Sequence, residues 1–161
     1  MFMKKFKIIH KNYYGKVKGF FMRYFNEEIS EKMTERFFLK IFKNLSDFKN
    51  LEKYYKKIIE KILIDELVKN RNEFIVYDFN LTSVNKKTFD INLKDKKIDP
   101  YHLVNYMNKL NNVERWVYNL FLVENISFKE ISKTFEITEE KCEKIFKIAK
   151  FNFEKIVFNL N

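Results

Sequence analysis

Between residues 124 and 153 the chain carries two helix-start signals separated by a short turn, a pattern that calls for two successive helices. The first signal is Ser127, whose hydroxyl can accept the amide proton of Glu130 while the Glu130 carboxylate reaches back to the Ser127 amide. Ile131 and Phe135 share the inner face of the short helix that follows. Thr138 caps the second helix, and Glu139 and Glu140 set carboxylates at the positive end of its dipole. Cys142, Ile145, Phe146, Ala149 and Phe153 then recur at helical spacing. This is the element order of a helix-turn-helix, which lays its second helix in a DNA major groove. A helical hairpin inside an all-α core has the same spacing.

The rest of the chain is also legible as helix. Only 2 Gly and 1 Pro offer breaks in 161 residues, and both glycines, Gly15 and Gly19, fall within one helical stretch. A helix over about residues 7–25 presents Tyr13, Val17, Phe20, Phe21 and Tyr24 on one face. A second, over about residues 28–45, aligns Ile29, Met33, Phe37, Ile41 and Leu45, with Phe38 and Phe42 widening the stripe. A third, over about residues 51–70, buries Ile58, Ile59, Ile62, Leu63 and Leu67 and projects Lys53, Lys56, Lys57, Lys61 and Lys69. Residues 72–100 lose the period. Phe74, Ile75, Val76 and Tyr77 are β-prone there, and Asn and Asp scatter through it up to Asp99 and Pro100. Such a stretch is longer than most connections within one compact domain and reads as a linker. Helices resume with Leu103, Tyr106, Met107 and Leu110 on one face, then Val113, Trp116, Val117, Leu120 and Phe121 on the next. The expected fold is all-α: two small helical bundles, 1–71 and 105–161, joined by a linker over 72–104, with the helix-turn-helix in the C-terminal bundle.

Charge and chemistry narrow the class. Of the net +10, residues 1–71 carry +9. A basic excess on one module fits a polyanion such as nucleic acid, or a solvated helical surface. With 19 Phe and 9 Tyr there is ample apolar material for a core despite the charge. The single cysteine, Cys142, excludes an internal disulfide and lies on an apolar stripe, as a core thiol would. His10 and His102 are far apart and have no Cys or acidic cluster at ligand spacing, so no metal or cofactor is expected. No glycine-rich phosphate loop and no catalytic cluster is present, and no enzyme is expected. The start of the chain lacks the apolar run of a signal peptide, and no stretch is long and apolar enough to span a bilayer, which predicts a cytoplasmic protein without membrane insertion.

With these residues laid out, the chain resembles the sigma-70 family of bacterial RNA polymerase sigma factors, of the extracytoplasmic-function (ECF) type. Leu110, Asn111, Asn112, Val113, Glu114, Arg115, Trp116 and Val117 resemble that family's LPxxxRxV. Glu124, Asn125, Ile126, Ser127, Phe128, Lys129, Glu130, Ile131 and Ser132 resemble its EGLSYEEIA without a gap. Ile137 with Thr138, Cys142 with Glu143, and Ala149 stand at the spacing of its IS, VK and final RA. Residues 37–45 are similar to its VFLRLWRNL and residues 54–65 to its WLYRIARNLAID. The resemblance covers about residues 10–71 and 105–158.

The resemblance implies a promoter-melting and polymerase-binding domain at 1–71 and a DNA-binding domain at 105–161. Its partners would be promoter DNA and core RNA polymerase, with an anti-sigma protein as a further candidate. It assigns core-polymerase binding to Glu31, Lys32, Glu35, Arg36, Phe38 and Lys40. Promoter melting falls to Ser46, Phe48, Lys49, Asn50, Lys53, Tyr54, Tyr55, Lys56, Lys57 and Lys61, whose rings and amides suit a flipped base and whose ammonium groups suit a single strand. Upstream-element DNA falls to Arg115, Thr138, Glu140, Lys141, Lys144 and Lys147, with Arg115 or Lys147 on phosphates. Polar positions depart from the family. Lys32 and Glu35 replace a DxxQ pair, Lys61 replaces Asn, Ile148 replaces Arg, and Glu136 replaces the turn glycine. Glu136 predicts a reshaped or strained turn, because a positive φ costs a side chain that glycine lacks. A stand-alone helix-turn-helix regulator and a helical protein-binding adaptor are the alternatives that these departures leave open.

Overall fold

The computed structural model describes residues 2–44, 51–77 and 100–158, and every regular element among them is helical. The helices are α1 (Phe2–Met22), α2 (Glu27–Lys43), α3 (Leu51–Lys69), α4 (Arg71–Val76), α5 (Pro100–Met107), α6 (Asn112–Leu122), α7 (Phe128–Phe135) and α8 (Glu139–Phe158). They divide into two compact units, Met1–Lys69 and Asn70–Asn161.

In the first unit α2 packs against both α1 and α3. The stripes read from the sequence form its core: Val17, Phe21 and Tyr24 from α1, Met33, Phe37, Phe38 and Ile41 from α2, and Ile59, Ile62, Leu63 and Leu67 from α3 are all buried. The break between α1 and α2 is set by Asn26, whose side chain accepts the Ile29 amide proton at 3.0 Å. Ser30 and Thr34, small polar residues on the inner side of α2, return their hydroxyl protons to the carbonyls of Phe25 (3.3 Å) and Ser30 (2.7 Å), so neither is left unpaired in the core. Gly15 and Gly19 meet nothing where a Cβ would stand, so no close approach requires them.

In the second unit α6 and α8 are the main pair, flanked by α5 and α7. Trp116, Val117, Leu120, Ile131, Phe135, Cys142 and Ile145 are all buried. Met107, Leu110, Tyr118, Ala149, Phe153 and Val157 form a buried cluster.

The structure corrects the reading of residues 72–104 as linker throughout. Their first residues belong to α4, and the segment 74–77 is not extended: 74–76 is helical. The reason is tertiary. Phe74 is fully buried, stacked on Phe135 with centroids 4.1 Å apart and rings 8° from parallel, and this burial outweighs the β preference of Ile75 and Val76, which remain exposed. At the other end α5 starts on Pro100, a residue suited to a first helical turn because its missing N–H would be unpaired there anyway.

Candidate nucleic-acid and partner interfaces

Both caps around the turn in the second unit take the form read from the sequence. The Ser127 hydroxyl accepts the Glu130 amide proton at 3.3 Å, and the Ser127 amide donates to the Glu130 carboxylate at 3.1 Å, closing a capping box. The Ser127 hydroxyl also donates to that carboxylate at 2.8 Å, and these bonds hold the Glu130 carboxyl below the usual carboxylate range. Lys141 N–H donates to the Thr138 hydroxyl at 3.1 Å. Between the caps, Glu136 does adopt the left-handed conformation that its glycine-like position demands (φ 56°, ψ 39°), and its N–H donates to the Ser132 carbonyl. Ile137 N–H donates to the same oxygen at 3.1 Å, so the Ser132 carbonyl closes the turn although no glycine is present. Asn125, where the resembled stretch has glycine, is the other non-glycine residue at positive φ among those described; Asn tolerates that region better than Glu does.

Of the α8 residues assigned to DNA, Glu140, Lys144 and Lys147 are exposed. Lys144 pairs with Glu140 at 2.7 Å and pulls the Glu140 carboxyl down. Thr138 is exposed at the turn, its hydroxyl engaged in the cap. Lys141 is half-buried and its ammonium donates to the Ile75 carbonyl at 2.8 Å. Arg115 does not fit the phosphate contact expected of it. It is buried, and its guanidinium donates to Asn108 at 2.7 Å and Asn112 at 3.0 Å. Ile148 is buried, which suits its apolar side chain. Cys142 is likewise a core thiol, pushed up to about 12 mainly by burial.

In the first unit the residues assigned to polymerase binding lie along α2, and they separate into three kinds. Lys32 and Arg36 are tied into ion pairs, with Glu28 at 2.7 Å and Glu66 at 3.0 Å. Glu31 accepts from the Tyr14 hydroxyl at 3.0 Å and stands 3.6 Å from Lys18. Phe38 is buried, in a ring cluster with Phe6, His10 and Tyr14. Glu35 is exposed and Lys40 half-buried. Beside Glu35 runs an open cavity of about 480 Å³ lined by Phe6, His10, Tyr14, Glu35, Phe38, Leu39 and Phe42, with Leu39 and Phe42 partly bare. Sequence reading missed this groove because it began α1 at residue 7 and so left Phe6 off the helix. The i, i+4 spacing of Phe6, His10 and Tyr14 was the available signal.

The melting residues are only partly placed. Ser46, Phe48, Lys49 and Asn50 lie outside the described residues, as does the Lys53 side chain. Tyr54 is exposed, but Tyr55 is wedged between Tyr13 (5.4 Å) and Phe37 (5.1 Å), where burial raises its hydroxyl pKa. Lys56, Lys57 and Lys61 are exposed along α3, Lys56 within 3.7 Å of Glu60. No helix among the described residues is long and apolar enough to cross a membrane.

No protein-family model matches the chain, and no curated protein matches it in sequence. Among solved structures, it is similar to the sigma factor RpoE, determined in complex with the anti-sigma factor NepR from Bartonella quintana, at 12% identity and a TM-score of 0.49, over 98% of this chain and 99% of that one.

Proposed function

We propose that the chain is an ECF-type sigma factor, a dissociable subunit that binds core RNA polymerase through the first unit and reads promoter DNA with α8 of the second. The observation that carries the reading is the α7–α8 pair. A capped short helix, a turn closed through Glu136 and a capped longer helix leave Glu140, Lys144 and Lys147 on one exposed face. That is the arrangement in which a recognition helix meets base edges and phosphates. The basic first unit, with Lys57 and Lys61 exposed on α3, supports contact with the same polyanion. No catalytic role is part of this reading, and cytoplasmic residence follows from it. An anti-sigma protein is a further proposed partner.

The reading has a direct test in binding. The full chain should co-purify with core polymerase, and Leu39→Glu together with Glu35→Lys, two exposed changes on α2, should weaken that binding while helicity by circular dichroism is retained. Retention of full core affinity by this variant would overturn the α2 assignment, and absence of any core binding by the unaltered chain would overturn the sigma reading. The pairing of Lys141 and Lys144 within the second unit favours one alternative, a helical adaptor, which would neither hold core nor show salt-dependent DNA binding.

A further inference from the structure

We propose that α4 is an internal restraint on the DNA-facing end of α8, one that withholds Lys141 from DNA while α4 is docked. The proposal rests on the reading of α8 as a DNA-contacting helix. Its structural basis is a plug and a ring of ties. Phe74 is the plug: fully buried, stacked on Phe135 and 5.5 Å from the Trp116 ring. Four polar contacts surround it. Arg71 pairs with Glu136, the left-handed residue of the turn, at 3.0 Å. Asn112 donates to Glu73 at 3.2 Å. The Tyr77 hydroxyl donates to Glu114 at 2.7 Å, and Glu114 also accepts from Asn152 of α8 at 2.9 Å. The last tie takes the Lys141 ammonium itself, which donates to the Ile75 carbonyl at 2.8 Å.

A single apolar side chain is committed to the core, while Ile75 and Val76 on the same short helix are exposed, and exposed ion pairs such as that of Arg71 add little. Release of α4 takes the Ile75 carbonyl away from the Lys141 ammonium in the first turn of α8, beside Glu140 and Lys144, and at the same time parts the turn residue Glu136 from Arg71. Docked, α4 limits the cations that α8 can bring to a phosphate. In sequence, only Asn70 separates the last residue of α3, Lys69, from the first residue of α4, Arg71.

The test is a double-mutant cycle in the full chain on a mixed-sequence DNA duplex. Two backgrounds loosen α4: Phe74→Ala, which removes the plug, and Phe74→Leu, which keeps an apolar side chain but loses the stack on Phe135, should Phe74→Ala fail to fold. The only tryptophan, Trp116, reports undocking through its emission. In the unaltered chain Lys141→Ala should leave the slope of log affinity against log salt unchanged. In either loosened background it should reduce that slope by about one unit, the loss of one phosphate contact. An equal effect of Lys141→Ala in docked and loosened chains would overturn the restraint. So would unchanged Trp116 emission in both α4 variants. Absence of salt-dependent binding by every version would instead overturn the DNA reading on which the restraint depends.

Discussion

The two units use their charge differently. In Met1–Lys69, Lys57 and Lys61 stand exposed on α3, and the nearest acid to Lys56 is a loose 3.7 Å away. In Asn70–Asn161 several of the described cations are taken up within the unit: Arg115 by two asparagines, Lys141 by a carbonyl, Lys144 by Glu140, and Lys150 within 3.9 Å of the buried Glu154. Among the lysines of α8, Lys147 makes no ion pair or hydrogen bond with any described residue. The first unit pairs cations too, Lys18, Lys32, Arg36 and Lys69 with glutamates, but it is in the second that Arg115 is buried and Lys141 is held by a backbone carbonyl. Whether a cation is available to a partner depends on burial and on its own helix neighbours, not on its presence in the sequence.

The sharpest way to break this contrast is through the core of the second unit. Phe74→Ala should destabilise it by about 3–5 kcal/mol, the usual range for a buried Phe in a packed core. Urea unfolding followed by Trp116 emission checks this, since the only tryptophan lies in that unit. A cost typical of a surface residue would mean that α4 is not part of the unit. Next in size is Arg115→Ala, expected to cost about 1–3 kcal/mol because it strips Asn108 and Asn112 of a charged donor. The salt dependence of DNA binding should not move, whereas a fall in slope would return Arg115 to the phosphate role that the sequence implied.

Two smaller changes sharpen the comparison by stabilising each unit in turn. Glu136→Gly removes a side chain from a left-handed position, a relief of about 1 kcal/mol, offset in part by loss of the exposed Arg71 pair. Gly15→Ala should raise the stability of the first unit by about 0.5–1 kcal/mol, since nothing occupies the space a methyl would fill. Thermal melts read both. A smaller effect still is expected with acid. The Glu130 carboxyl is lowered by its bonds to Ser127, so the capping box adds stability above the ordinary carboxylate value of 4.5 and loses it as pH falls through the lowered folded value. Amide exchange at the start of α7 should quicken in acid, and Ser127→Ala should abolish that pH dependence.

The elements that were legible are those specified by local chemistry. Ser127 and Glu130 announce a capping box within four residues, and the stripe of Met33, Phe37 and Ile41 announces the inner face of α2. The strain expected at Glu136 is also local, because the position needs a conformation the residue disfavours. What was not legible depends on partners distant in sequence. Nothing near Phe74 says that Phe135 will stack on it, so β propensity misled there. Arg115 is an exception: Asn108 and Asn112, seven and three residues before it, draw its guanidinium inward, and buried arginine is rare enough that an exposed contact was the natural expectation. Phe6 and Phe42 lie on different helices, and the groove they share forms only when α1 and α2 pack.

Run-off transcription by core polymerase supplemented with the full chain tests the central claim most directly, on promoter templates selected by the reconstituted complex. A sigma factor should yield discrete transcripts that require the chain, fall with Lys147→Ala, and disappear when the α2 variant Glu35→Lys with Leu39→Glu replaces it. Transcripts identical with and without the chain, at concentrations where it is folded and in excess over core, would contradict that claim.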